Sequence, residues 1–228
     1  MPDSIDWISY ASQMYLAEIY RLGQGRTWVN TGSLAERLGV SGPAVVRMAH
    51  RLYQEGLIEH QRYQGVFLTM SGTEAALLSI RRHRLLERLL VDVLHIGWHE
   101  VHAQAVNFQK GVNQPFEDRL ESLLGSPGIC PHGEPIPTRD GTVPELADRP
   151  LVVVPARTRG RISRVRTRDP DKLQYLARLG CFPGTAFELV HRDPFNGPLW
   201  LRIGQNEQMI GTELAATLWL ICTPKEEE

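Results

Sequence analysis

The stretch 31-TGSLAERLGVSGPAVVRMAHRLYQEGLIEHQRYQGVFLT-69 decides the fold of the first part of the chain. Residues 31–39 form a short helix, with a hydroxyl residue available as its cap and Gly39 as its end. A second helix opens at Ser41-Gly-Pro43, where the missing N–H of proline costs nothing. Two short apolar runs follow, 57–60 and 66–69, and predict a two-stranded hairpin. Two helices joined by a short turn and followed by a hairpin make a winged helix-turn-helix.

The flanking sequence extends this domain and predicts two more. Upstream, residues 4–22 carry apolar side chains at helical spacing. Downstream, helical patterns cover 73–94, 98–109 and 116–124, and a proline- and glycine-rich connection covers 127–144. Five short apolar runs between 151 and 223, the first of them Leu151–Val154, predict a small SH3-like barrel interrupted by a helix at 170–179. The predicted fold class is mainly α with a small β domain: a winged helix-turn-helix at 1–74, a helical domain at 75–144 and an SH3-like domain at 151–224.

Composition excludes several classes of protein. The chain has 228 residues, 42% of them hydrophobic, and a formal net charge of −1. No run approaches the roughly 18 apolar residues of a membrane helix, and the first twenty residues lack the basic cluster of a secretion signal. The three cysteines are Cys130, Cys181 and Cys222, with no CxxC pair, which argues against a disulfide framework or a structural zinc site. We therefore expect a cytoplasmic protein with no membrane partner.

The predicted winged helix has a candidate DNA-reading face. The second helix of such a motif enters the major groove by its N-terminal end. Arg47 can bind guanine or a phosphate, and Pro43 and Ala44 can pack on a thymine methyl group. Residues 26–66 hold five arginines and three glutamates, a surplus of 5 − 3 = +2, so tight binding needs two copies on a palindrome. The alternative is a solvated helix face. The predicted DNA contacts are Ser41, Pro43, Ala44, Arg47 and Arg51 on the helix, and Arg62 and Tyr63 on the wing.

A second constellation points to a metal ion. His83 and Glu87 are four residues apart on a predicted helix and so project from one face, and His102 comes from the next helix. Two imidazoles and one carboxylate suit Mn²⁺, Fe²⁺, Co²⁺ or Zn²⁺, although a lone histidine is by default a solvated imidazole. His99 and His102 are three apart, not the four of HExxH, and no nucleophile–base pair is evident, so we expect no enzyme.

Over nearly its whole length the chain resembles the diphtheria-toxin-repressor family of iron- and manganese-dependent regulators. The resemblance implies a winged-helix domain, a helical dimerisation and metal-binding domain, and an SH3-like domain. The matching stretches are MYL at 14–16, AERL at 35–38, SGP at 41–43, EGL at 55–57, LTMSG at 68–72, HRLLERLL at 83–90, EVH at 100–102 and CPHGEPIP at 130–137.

The resemblance also assigns metal ligands. It makes His83, Glu87 and His102 one of two metal sites, which a carboxylate of the third domain completes; Asp169 and Asp171 are the candidates. The other site requires a ligand from the first helix, where Met14 stands, and a Cys/Asp/Glu-x-x-Glu-His run, whose positions hold Val106, Gln109 and Lys110. Valine cannot ligate, lysine is a cation at neutral pH, and Gln109 offers only a neutral oxygen.

These departures predict one metal site per subunit, with Lys110 supplying a fixed positive charge where relatives place a metal. A ligand set without cysteine favours Mn(II), with Fe(II) possible and Zn(II), Co(II) or Cd(II) substituting in vitro. For Cys130 and His132 a structural role is favoured over a metal role, since Pro131 separates them and no partner is evident. The expected dimer surface includes Leu85, Leu86, Leu89, Val93 and Leu94.

The predicted function is that of a homodimeric, metal-dependent repressor of metal-transport genes that binds a palindromic operator. The alternative is a winged-helix regulator that has lost metal control and responds to another ligand or partner.

Overall fold

A computed structural model describes residues 4–24 and 27–223. The described residues divide into two compact units, one made of residues 4–24, 27–86, 107–126 and 136–143, the other of residues 87–106, 127–135 and 144–223. Helix α4 (Met70–Asp92) is continuous and contributes to both units. Within the described part of the chain, no helix is both long enough and apolar enough to cross a bilayer.

The first unit begins with the winged helix-turn-helix that the sequence predicts. Asn30, rather than Thr31, caps the second helix, and Gly39 ends it in the left-handed region with φ 64°. The hairpin needs Gly65, because it has φ 107° and a Cβ there would overlap the carbonyl oxygen of Val29. The elements are α1 (Tyr10–Gly23), α2 (Thr31–Leu38), α3 (Gly42–Gln54), β1 (Ile58–Gln61) and β2 (Gly65–Leu68).

The first helix starts later than the sequence predicts. Helix α1 begins at Tyr10, and Ser9 caps it by accepting a hydrogen bond from the Ser12 amide. Residues 4–9 lie outside the helix, and Ile5 and Ile8 are buried in the winged-helix core. Their apolar spacing therefore reflects burial of an irregular segment, not helical periodicity.

The helical middle of the chain holds α4, α5 (Val101–Gln109) and α6 (Gln114–Leu123). Asn113 caps α6 by accepting from the Phe116 amide. Leu85 and Leu86 are buried within the chain itself, so they belong to its own core and not to a dimer surface. Val93 and Leu94 remain exposed.

The second unit contains an antiparallel sheet of six strands, within the described residues, in the order β3-β8-β4-β5-β6-β7. Its core is made by apolar residues of alternating strand positions such as Ile162, Leu189 and Leu220. The elements are β3 (Arg149–Pro150), β4 (Thr158–Val165), α7 (Pro170–Arg178), β5 (Ala186–Arg192), β6 (Leu199–Ile203), β7 (Asn206–Ile210), α8 (Thr212–Ala215) and β8 (Leu218–Cys222).

Two details of this domain correct the sequence prediction. Leu151–Val154 is not a strand: Leu151–Val153 is a turn of 3₁₀-helix, and the run is apolar because Leu151 and Val154 are buried. Strand β7 is missed by the apolar pattern because its sequence, NEQMI, is mostly polar. It pairs with β6 across a two-residue turn that starts with Gly204, at φ 59°.

Candidate metal centre

Glu87 lies at the middle of a buried polar cluster in the second unit. Its Oε1 is 3.2 Å from His102 Nδ1, and its Oε2 is 3.8 Å from His132 Nδ1. Glu87, Cys130 and His132 are all buried and offer ligand atoms that lie within 4.8 Å of one another. We call Glu87, His102, Cys130 and His132 the Glu87 centre. Its side chains come from α4, α5 and the proline-rich connection, which are far apart in sequence.

The proline-rich connection holds Cys130 and His132 in a tight turn. The Cys130 amide donates to the Glu134 carbonyl, and the Gly133 amide donates to the Cys130 carbonyl, both at 2.9 Å. Gly133 has φ 84°, and a Cβ there would overlap the carbonyl oxygen of Ser163. The glycine of the CPHG motif is therefore required both for its backbone conformation and for its close approach to strand β4.

A hydrogen bond from one ring nitrogen fixes the orientation of the His132 imidazole. Its Nε2 donates to the carbonyl oxygen of Trp98 at 2.8 Å, which leaves Nδ1 facing Glu87. This arrangement is typical of metal-binding histidines, whose outer hydrogen bond fixes the tautomer. Burial of His132 opposes protonation, but the hydrogen bonds and charges of Cys130 and Glu87 outweigh burial and raise its pKa to about 10. A metal ion that binds Nδ1 must therefore displace a proton.

His83 lies one turn before Glu87 on the continuous helix α4, so the two side chains leave the same helix face. In the first unit, His83 Nδ1 is 3.1 Å from Gln109 Oε1. The Gln109 amide nitrogen donates to the carbonyl and the hydroxyl of Ser79, both at 3.2 Å. Its oxygen therefore accepts from His83 Nδ1, and His83 keeps Nε2 for other contacts. We call Ser79, His83 and Gln109 the Gln109 cluster; in it Gln109 orients a histidine.

The remaining predicted ligands have other surroundings. Asp169 caps α7 by accepting from the amides of Asp171 and Lys172. Neither Asp169 nor Asp171 belongs to a group of candidate ligands among the residues that the structure describes. Met14 is half-buried on α1, and its role as a ligand stays a prediction. Lys110 places its ammonium 5.8 Å from the centre of the Tyr10 ring.

The sequence predicts a structural role for Cys130 and His132, and this prediction is incomplete. The missing partner is Glu87, which is more than forty residues away in the chain. The CPHG motif is a visible signal, but its spacing gives no indication of which carboxylate meets it. Only the packing of the connection beside α4 brings the three residues together.

The predicted DNA-reading helix exposes a stripe of side chains. Ser41 stands at the N-cap of α3 without a capping hydrogen bond, and Pro43 is in the first turn. Arg47 is exposed, whereas Ala44 is half-buried. Two further exposed residues, Val46 and His50, continue the stripe and are not identified from the sequence.

The neighbouring arginines differ in their surroundings. Arg51 Nε lies 2.8 Å from Glu55 Oε1, so this side chain is partly neutralised. On the wing, Tyr63 is exposed and adopts φ 70°, and the Arg62 guanidinium lies 4.9 Å from the centre of its ring. Both wing residues are therefore presented to solvent, as the sequence predicts for contacts to a nucleic-acid backbone.

Three family models match consecutive parts of the chain. They are the iron-dependent repressor N-terminal DNA-binding domain at residues 8–66, the iron-dependent repressor metal-binding and dimerisation domain at 69–138, and the FeoA domain at 149–221. Their order defines a protein with a winged helix-turn-helix, a helical domain and a C-terminal SH3-like domain.

Known proteins agree with this assignment. The iron-dependent repressor IdeR of Mycobacterium leprae is 37% identical over 60% of this chain and 58% of its own length. The diphtheria toxin repressor of Corynebacterium glutamicum is 32% identical over 66% of this chain and 64% of its own. A manganese-dependent transcriptional repressor solved in complex with manganese is 33% identical, with a TM-score of 0.87 over 93% of this chain and all of that chain. The chain belongs to the iron-dependent repressor family, and it spans less than two thirds of the length of these curated relatives.

Proposed function

We propose that this chain is a metal-dependent transcriptional repressor that binds a palindromic operator as a homodimer in the cytoplasm and has no catalytic activity. The observation that carries the proposal is the buried Glu87 carboxylate, with a histidine facing each of its oxygens. A carboxylate flanked by two imidazole nitrogens is a donor set that suits a divalent ion, which would take the place of the proton on His132. The exposed Arg47 and wing on the winged helix supply the DNA contacts.

The proposed ligands are His83, Glu87 and His102, together with Cys130 and His132. Because this set contains one carboxylate, two divalent ions would have too little negative charge between them, and we propose one ion per subunit. The ion would stabilise the charge on Glu87 and join α4, α5 and the proline-rich connection. Asp169, Asp171 and Met14 stay possible additional ligands.

The metal is proposed to be Mn(II), with Fe(II) as the main competitor. The manganese complex of a related repressor supports Mn(II). The Cys130 thiol argues against Mn(II), because sulfur ligands favour softer ions. The preference for Mn(II) inferred from the sequence assumes a ligand set without sulfur. Zn(II), Co(II) and Cd(II) are therefore expected to bind in vitro, and one similar protein, ScaR, has been solved with Zn²⁺ and with Cd²⁺.

The dimer is proposed to form through the helical middle of the chain. Helix α6 exposes Phe116 and Leu123, which lie seven residues apart and so on one face, and α5 exposes Phe108. Two recognition helices in a symmetric dimer sit about one duplex turn apart or a small multiple of it. Metal acts by linkage: it favours DNA binding only if the centre is better formed in the DNA-binding arrangement.

The test is selection of genomic DNA fragments by the purified protein, run in parallel with chelator and with Mn²⁺, Fe²⁺ or Zn²⁺. The proposal expects one palindrome to be enriched only with metal. Equal enrichment with chelator would instead favour the metal-independent winged-helix regulator. Arg47→Ala should weaken binding to the selected palindrome by ~1–3 kcal/mol, and Arg51→Ala by less, because Arg51 is already paired with Glu55.

A further inference from the structure

Asp6 stands in the segment that precedes α1 and belongs to the winged-helix core. Its neighbours Ile5 and Ile8 are buried in that core. The side-chain amide of Gln13, on α1, donates to the carbonyls of Ile5 and Ile8 at 3.1 and 2.8 Å. The segment around Asp6 is therefore fixed to the winged helix and moves with it.

The Asp6 carboxylate binds two helices of the middle of the chain. Its Oδ1 accepts from Arg82 Nη2 on α4 at 2.9 Å, and its Oδ2 accepts from the Gln114 amide at 3.0 Å. Gln114 is the first residue of α6, where backbone N–H groups have no intrahelical acceptor and the helix dipole favours an anion. Partial burial opposes ionisation, but these two hydrogen bonds outweigh it and hold the pKa of Asp6 below its usual value. Asp6 is therefore an anion at neutral pH.

The ion pair with Asp6 also stabilises the charge of Arg82. The Arg82 side chain is only 2% exposed, and its other carboxylate is Glu117, at 2.9 Å from its Nε. Glu117 also lies 3.2 Å from Arg81 Nε, and Arg81 pairs with Glu121 as well. A buried guanidinium is costly unless it is paired. The segment around Asp6 therefore supplies a second carboxylate to a guanidinium that α4 carries into the interior.

Apolar packing accompanies this contact, because Ala75, Ala76 and Leu78 of α4 belong to the same core as Ile5 and Ile8. A cavity of about 320 Å³ lies beside Asp6 and Arg82, and residues 109–113 also line it. Next to this cavity, the charged hydrogen bonds of Asp6 join the segment before α1 to α4 and α6. Such a link is directional and can be broken by one side chain.

We propose that Asp6 is a positioning residue that transmits the state of α4 to the DNA-binding helices. The proposal rests on the proposed function. Arg82 precedes Glu87 by five residues on the same continuous helix, so a displacement of α4 by metal also displaces the guanidinium that holds Asp6. Asp6 then carries that displacement to Ile5, Ile8 and α1. Its removal should uncouple DNA binding from metal without weakening metal binding.

The test compares Asp6→Asn, Asp6→Glu and the wild-type chain. The matched control is Asp140→Asn, which removes an exposed carboxylate of the proline-rich connection. Three quantities are measured on the full chain: Mn²⁺ affinity by calorimetry, amide hydrogen exchange of α1 with Mn²⁺, and affinity for the palindrome that the wild type selects. The affinity for the palindrome is measured both with Mn²⁺ and with chelator.

For Asp6→Asn we expect Mn²⁺ affinity within about twofold of the wild type, because Asp6 is not a ligand. We expect exchange of α1 to rise about tenfold and operator affinity with Mn²⁺ to fall about tenfold, the size of one lost charge-assisted hydrogen bond. The weak residual affinity for DNA that remains with chelator should not change, and Asp6→Glu should recover part of the loss.

Two results would overturn the role of Asp6. One is wild-type exchange and wild-type metal dependence in Asp6→Asn. The other is an equal loss of operator affinity with metal and with chelator, which is the mark of a purely structural residue. If the wild type selects no DNA, the proposed function fails, and the exchange of α1 with and without Mn²⁺ still decides whether Asp6 couples the two helices.

Discussion

The Glu87 centre and the Gln109 cluster share a histidine that faces a side-chain oxygen, and they differ in the charge of that oxygen. Each places a histidine Nδ1 between about 3 and 4 Å from a side-chain oxygen, and α4 contributes to both. In the Glu87 centre the oxygen belongs to a carboxylate with a thiol nearby; in the Gln109 cluster it belongs to a neutral amide. From this difference we predict that the charge of the oxygen decides which group holds a metal ion and which one orients a histidine.

Replacing the carboxylate should give the largest effect. Glu87→Gln keeps the shape of the side chain and removes its charge, so Mn²⁺ affinity should fall by at least about a hundredfold, more than the loss typical of an outer-shell contact. Calorimetry measures it, and Glu100→Gln, which changes an exposed carboxylate near the start of α5, is the control. Unchanged affinity in Glu87→Gln would show that Glu87 is not a ligand.

Removing the side-chain amide of Gln109 should also lower Mn²⁺ affinity, but by less. Gln109→Leu leaves the His83 Nδ1–H without its acceptor and frees the ring to rotate. If His83 ligates through Nε2, Mn²⁺ affinity should fall about tenfold, as for other outer-shell partners. Gln104→Leu, at an exposed position of α5, is the matched control. An affinity equal to that of the wild type would show that metal binding does not depend on the orientation of His83.

The thiol should set metal preference more than affinity for manganese. Cys130→Ser should weaken Zn²⁺ binding about tenfold and Mn²⁺ binding less, because sulfur contributes most to softer ions. Co²⁺ added to the wild type should give a thiolate-to-metal absorption band, and Cys130→Ser should lose it. Cys222→Ser should keep the band. A band that survives in Cys130→Ser would remove Cys130 from the ligand set.

The smallest expected effect is an increase in the number of metal ions bound per subunit. Gln109→Glu combined with Lys110→His replaces a neutral amide and a cation with two metal-binding groups, so the Gln109 cluster should acquire a weak second site. Native mass spectrometry should count one Mn²⁺ per subunit in the wild type and up to two in the double variant. A wild-type count of two would contradict the single-site proposal and the proposed part of Lys110.

Local signals explain why much of this molecule can be predicted from its sequence. The ends of α2 and α3 follow from Gly39 and Pro43, whose backbone preferences act within a few residues. His83 and Glu87 share a helix face because of helical spacing alone. These features require no knowledge of the rest of the chain.

The errors arise where burial or long-range packing decides. Leu151 and Val154 are apolar because they fill the core of the second unit, and their pattern gives no way to tell a 3₁₀ turn from a strand. The role of Cys130 and His132 is a separate case: they come close to Glu87 only after the chain has folded, so their spacing cannot reveal which carboxylate they meet. Gln109 is identified from the resemblance as a weak ligand, whereas its hydrogen bonds make it the partner that orients His83.

The most direct test of the account is operator binding by the wild type and by Glu87→Gln during a Mn²⁺ titration. Fluorescence anisotropy of the labelled palindrome reports binding, and thermal unfolding confirms that both proteins are folded. The account predicts that the wild type binds only as Mn²⁺ fills the centre, and that Glu87→Gln stays unbound at Mn²⁺ concentrations that saturate the wild type. Equal binding by both proteins in the presence of chelator would contradict it.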